Sequence, residues 1–126
     1  MAQYLLLLYH DGAAGAKLDP AVMQQAMLRY QAWRQKLTDE GHYLDSHKLE
    51  NEPGRVLRNA SGKILVTDGP YSETKEWLGG YYLIEAPSYE VAVEISRDCP
   101  HLEFGGTIEV REVDARVAAA SARRAS

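Results

Sequence analysis

Asp68 closes the apolar run Ile64-Leu65-Val66, and Glu73, Lys75 and Glu76 follow it across a turn opened by Gly69-Pro70. A carboxylate at a strand end can accept a proton as a general base or orient a ligand. Lys75, set between carboxylates, offers a cation to a substrate carboxylate or to a proton transfer. Structural roles compete with these. Aspartate before Gly-Pro can accept a backbone N–H and hold the turn. Pairing among exposed charges is worth at most about 1 kcal/mol, too little to order such a loop alone. Ser72-Glu73-Thr74-Lys75 also matches the S-x-x-K pattern of serine acyl enzymes, but the supporting S-D-N and K-T-G patterns are absent, so that chemistry is set aside.

The histidines are His10, His42, His47 and His101. His10 ends an apolar run and His101 follows a predicted helix, so either can face a cleft at a sheet end and titrate near neutral pH. His42 and His47 are spaced to lie on opposite faces of a strand, and Cys99 with His101 brackets a proline without a second ligand pair. No metal site is expected. Cys99 is the lone cysteine, which excludes an intramolecular disulfide, and it reads as a small buried apolar residue rather than a nucleophile. No Walker loop, G-x-G-x-x-G or C-x-x-C occurs, so no bound cofactor is expected.

The elements that must position these groups follow from periodicity. Residues 3–10 form a short apolar run bounded by Asp11-Gly12, which predicts a central strand. Asp19 caps a helix with Pro20 at its first position and a Leu18–Met23 staple. Its stripe of Met23, Ala26, Met27, Tyr30, Trp33 and Leu37 runs until Gly41 stops it. Strands are predicted at 42–50, 55–59, 63–67, 79–86 and 106–113, the second and third forming a hairpin about Ala60-Ser61-Gly62. Gly79-Gly80 reads as a strand entry with close backbone packing. Ser88 caps a second helix with a stripe of Val91, Ala92, Ile95 and Cys99, and Pro100 prevents its continuation. The order is a ferredoxin-like β-α-β-β-α-β plan with one added hairpin, an α+β fold.

Both faces of the first strand are apolar, with Tyr4, Leu6 and Leu8 on one and Leu5, Leu7 and Tyr9 on the other; Tyr81 to Ile84 repeats this. Two helices cover only one face, which predicts a homodimer with the sheets packed together. The 126 residues suit one domain over 1–113, followed by an alanine-, arginine- and serine-rich tail over 114–126. With 14 basic and 18 acidic residues the net charge is -4, which disfavours nucleic acid and anionic membranes as partners. No segment approaches the roughly 20 apolar residues of a membrane helix, and the N-terminal run lacks the basic flank of a signal peptide, so a cytoplasmic location is expected.

Val66-Thr67-Asp68-Gly69-Pro70-Tyr71, the strand Leu78 to Glu85, Cys99-Pro100-His101 and the closing Gly106 to Arg111 together resemble the DGPF group of the YCII-related family of small bacterial proteins, with Tyr71 in place of the phenylalanine. The resemblance covers roughly residues 3–113. It implies a dimeric α+β barrel architecture and, by analogy of fold, a cofactor-free small-molecule enzyme or metabolite-binding protein with a pocket near the Asp68–Tyr71 motif. Asp68 and His101 are then the catalytic candidates, and Tyr30, Tyr71, Glu73 and Lys75 the substrate-binding ones. Relatives proposed to use a His-Asp pair carry a histidine on the first helix; here Tyr30 takes that place, and an unperturbed phenol cannot replace a neutral-pH base. The resemblance also implies an alternative, an accessory regulatory protein acting with an extracytoplasmic-function sigma factor through protein contacts.

Overall fold

The computed structural model describes residues 1–11, 19–69 and 76–116. Along the chain run β1 (Ala2–Asp11), α1 (Pro20–Asp39), β2 (Tyr43–Lys48), β3 (Arg55–Ala60), β4 (Lys63–Asp68), β5 (Glu76–Ala86), α2 (Tyr89–Arg97), α3 (Pro100–Glu103) and β6 (Thr107–Glu112). Four strands form an antiparallel sheet in the order β2-β5-β1-β6, the ferredoxin-like arrangement, and β3-β4 forms a separate two-stranded sheet. The fold is α+β with an added hairpin.

The helix ends are built as their sequences dictate. Asp19 accepts the Ala21 N–H at 2.9 Å, and Pro20 occupies the first position, where no N–H is needed. At the other end the Gly41 and His42 N–H groups donate to Thr38 and Leu37 at 3.1 and 2.8 Å, which satisfies carbonyls that the last turn leaves open. Leu18, the other half of the expected staple, lies outside the described residues. Ser88 accepts the Val91 N–H at 3.3 Å and starts α2. That helix ends at Arg97, and Pro100 opens the short turn α3, which carries His101 back to the sheet.

β5 begins earlier than periodicity indicates. Glu76, Trp77 and Leu78 pair with Asp11, His10 and Tyr9 across an irregularity at Leu8/Tyr9, so Gly79-Gly80 lies inside the strand rather than at its entry. Close packing explains the pair: a Cβ on Gly80 would stand 2.7 Å from the His47 carbonyl oxygen.

On the helix-covered face Tyr4, Leu6, Leu8, Tyr82, Ile84 and Ala86 are buried against Trp33, Leu37, Ala92 and Cys99. Trp33 packs edge-on against Tyr82 at 4.9 Å. Truncating a side chain as enclosed as Leu6 or Ile84 should cost about 2–5 kcal/mol. Only the C-terminal half of the α1 stripe joins this core. Met23 and Met27 are 39% and 60% exposed, and the space beneath that half of the helix is open. On the far face of the sheet Leu5, Leu7, Tyr9, Tyr81 and Leu83 are half-buried.

Candidate functional site

Because β1 and β2 both run antiparallel to β5, their C-terminal ends meet its start at one end of the sheet. There, under the N-terminal half of α1, lies a cavity of about 620 Å³, within the usual range for small-molecule sites. Met23, Met27 and Tyr30 line it from α1, Gly79 to Tyr82 from β5, and His101 with Phe104 to Gly106 from the segment around α3. The apolar stripe that would have closed a core instead walls this cavity.

His101 is held from both sides. Its Nε2 lies 2.6 Å from the Tyr9 carbonyl oxygen and its Nδ1 lies 3.1 Å from the Tyr30 hydroxyl. A carbonyl only accepts, so Nε2 carries the proton, and the bare Nδ1 of the neutral ring accepts the Tyr30 O–H. Burial pushes the His101 pKa below its ordinary value, opposed by the bond to the Tyr9 carbonyl and aided by nearby His10. Burial also drives the Tyr30 phenol well above its ordinary value, with Cys99 and Tyr82 adding to the shift. Both groups are therefore neutral at physiological pH.

Gly106 makes this placement possible. A Cβ there would overlap the His101 ring, whose atoms are its three nearest neighbours, while the Gly106 N–H donates to the His101 carbonyl at 3.0 Å. An ion pair between Arg29 and Glu103 ties α1 to α3 beside the pair.

The structure brings Tyr30 and His101 together on the cavity wall. Asp68 sits elsewhere: it ends β4, is largely exposed, and faces Arg55 across the hairpin with 3.6 Å between Arg55 Nε and Asp68 Oδ1. Among the described residues it does not line the cavity. Tyr71, Glu73 and Lys75 lie outside the described residues. His10 lines the cavity and His47 does so from β2, the latter 3.5 Å from Asp45. Among the described residues no three potential ligands gather as a metal site. Cys99 is buried, and burial pushes its thiol up to about 11, against a lowering hydrogen bond to the His101 backbone.

Sequence reasoning overlooked Arg34, Lys48 and Gly106. Arg34 stands four residues after Tyr30 and so shares its helical face, a signal that was present. Lys48 and Gly106 carry no such mark, since their roles depend on which strands meet at this end of the sheet.

Comparison with known proteins places the chain in the YCII-related domain family, whose model matches residues 2–115; the protein belongs to that family. It is also similar to an uncharacterized protein of Rhizobium meliloti (strain 1021), 30% identical over 110 residues that cover 86% of this chain and 89% of the relative.

Proposed function

We propose that this protein is a small-molecule enzyme that moves a proton on a metabolite held in the cavity beneath α1. The observation that carries the reading is the chain Tyr30 Oη–H to His101 Nδ1, with Nε2–H anchored on the Tyr9 carbonyl, on the wall of an apolar cavity. Tyr30 and His101 act as a unit. An acidic hydrogen of the substrate passes to Tyr30 Oη as the phenol's own hydrogen passes to Nδ1. The products of this step are a substrate anion and an imidazolium still held by Tyr9. Return of that proton to a different substrate atom completes an isomerisation or tautomerisation, a sequence that balances without oxidant or cofactor. His101 is the catalytic base and Tyr30 contacts the substrate. Asp68 serves the hairpin through its pairing with Arg55.

The same reading includes a second copy of the chain packed on the far face of the sheet. Support comes from cross-strand neighbours such as Leu5 with Leu83 and Leu7 with Tyr81, an apolar patch that remains half-exposed in one copy.

A thermal-shift screen of a few hundred metabolites tests the function, with Tyr30→Phe and His101→Gln as controls. At a hundred times its dissociation constant a ligand adds about 2.7 kcal/mol, a rise of roughly ten degrees for a domain of this size. Hits should be turned over by wild type and merely bound by His101→Gln. Turnover by both variants at the wild-type rate would refute the relay.

One observation favours a protein-contact role, of which the sigma-factor alternative is one form. Leu57, Ile64 and Val66 alternate on one side of the β3-β4 hairpin and are each more than 60% exposed. Under that reading, charged substitutions at these positions abolish partner binding and leave metabolite binding unchanged.

A further inference from the structure

The cavity carries an uneven charge. Arg34 lines it from α1, and among the described residues its guanidinium has no ion-pair partner. Its charge reaches Tyr82, whose phenol is pushed up to about 12 by burial and by Cys99 while Arg34 pulls the other way. Lys48, at the end of β2, donates to the Leu49 carbonyl at 3.0 Å and to Asn51 Oδ1 at 3.4 Å, neither of which is charged. Asp11 is the only carboxylate among the described lining residues. Among the described lining residues, two cations against one carboxylate leave a single positive charge on an otherwise largely apolar wall, with His101 held neutral by burial.

These cations share a side. Lys48 pairs with Gly80 across β2 and β5, and Tyr82, beside Arg34, pairs with Ser46 of β2. His101 is anchored on Tyr9 of β1, two strand positions away. With neighbouring strands about 4.8 Å apart, that is a span of roughly 10 Å.

We propose that the cavity takes the monoanion of a small organic acid with a flat apolar body, its carboxylate on Arg34 and Lys48 and its far end against Tyr30 and His101. The inference rests on the proton-transfer reading of the same cavity and adds the substrate class. A carboxylate is the anion whose single charge matches the surplus, and an arginine fork binds it in two parallel hydrogen bonds. Apolar lining from Met23 and Met27 suits a ring or short hydrocarbon chain between the two ends. The placement also serves the chemistry: an acid bound by its carboxylate presents the opposite end of its skeleton to the relay.

Cinnamate and 3-phenylpropionate, their neutral amides, phenethylamine and phenyl phosphate form a matched probe set, titrated into the full chain by heteronuclear NMR. The acids should shift the Tyr30 and His101 signals and bind about tenfold or more tightly than the amides, the usual worth of hydrogen bonds to a charged group. Arg34→Gln and Lys48→Gln, both on exposed side chains, should erase that preference by lowering acid binding toward that of the amides. Equal binding of acid and amide, or tighter binding of the amine or the phosphate, overturns the substrate class while the cavity stands as a site. If no probe moves the Tyr30 or His101 signals, the substrate class and the cavity reading fall together.

Discussion

Alanine at Gly106 should unseat His101, and the effect should exist only while His101 is there. Gly106 has no backbone conformation that alanine resists; what a Cβ meets is the imidazole ring. Displacing that ring breaks the Nε2 bond to the Tyr9 carbonyl and the Tyr30 bond to Nδ1. Two buried hydrogen bonds at about 1 kcal/mol each, with partners left unsatisfied, give a cost of about 2–4 kcal/mol. For a domain of this size that lowers the melting temperature by roughly 8–16 °C. The assay is a double-mutant cycle read by urea unfolding. His101→Ala removes the ring, so Gly106→Ala on that background should cost no more than about 0.5 kcal/mol, giving a coupling of about 1.5–3.5 kcal/mol. Equal cost of Gly106→Ala in the two backgrounds would refute the argument, because the lost stability would then have nothing to do with the imidazole.

The remaining expectations concern titration, reactivity and assembly. His101 has a folded pKa below its unfolded value, so its contribution is full above about pH 6.5 and is lost as pH falls toward the folded value; stability of wild type should drop between pH 7 and 5 more steeply than that of His101→Gln, and parallel curves would count against a buried neutral imidazole. Cys99, enclosed and with its thiol raised to about 11, should resist a thiol reagent at pH 8 until the chain unfolds; stoichiometric labelling of the native protein within minutes would contradict this burial. Leu7→Asp, on the half-buried face of the sheet, should convert a dimer into a monomer by analytical ultracentrifugation, and a monomeric wild type at micromolar concentration would sink the sheet-to-sheet pairing.

Periodicity located the strands and helices because each is decided locally. Asp19-Pro20 can begin a helix and Gly41 can end one whatever the rest of the chain does, and the alternation of Tyr4, Leu6 and Leu8 commits one face of β1 to a core. What periodicity did not convey is where an apolar stripe stops serving a core. Met23 and Met27 lie in phase with Trp33 and Leu37, yet the first two line a cavity and the last two are buried. Spacing reports which residues share a face; it does not report how far the facing element extends. In this fold the outcome depends on the sheet end, where the glycine pair of β5 and Gly105-Gly106 supply little side-chain volume to fill the space.

Asp68, the first carboxylate of the motif, and the cavity of the main sheet are consequently separate among the described residues. Asp68 draws attention as a carboxylate beside a turn, but its strand pairs only within a hairpin set apart from the main sheet. His101 draws less attention, because a histidine after a helix is most often structural. Its importance appears only when residues distant in sequence converge: Tyr9 fixes the tautomer, Tyr30 takes the remaining nitrogen and Gly106 clears room for the ring. A histidine with one nitrogen anchored to a carbonyl can exchange protons at the other nitrogen alone, and here that nitrogen is reached through a phenol on the cavity wall. On the proton-transfer reading proposed above, Tyr30 in the place of a first-helix histidine does not remove the chemistry; it moves the base to His101 and leaves the helix to supply the relay.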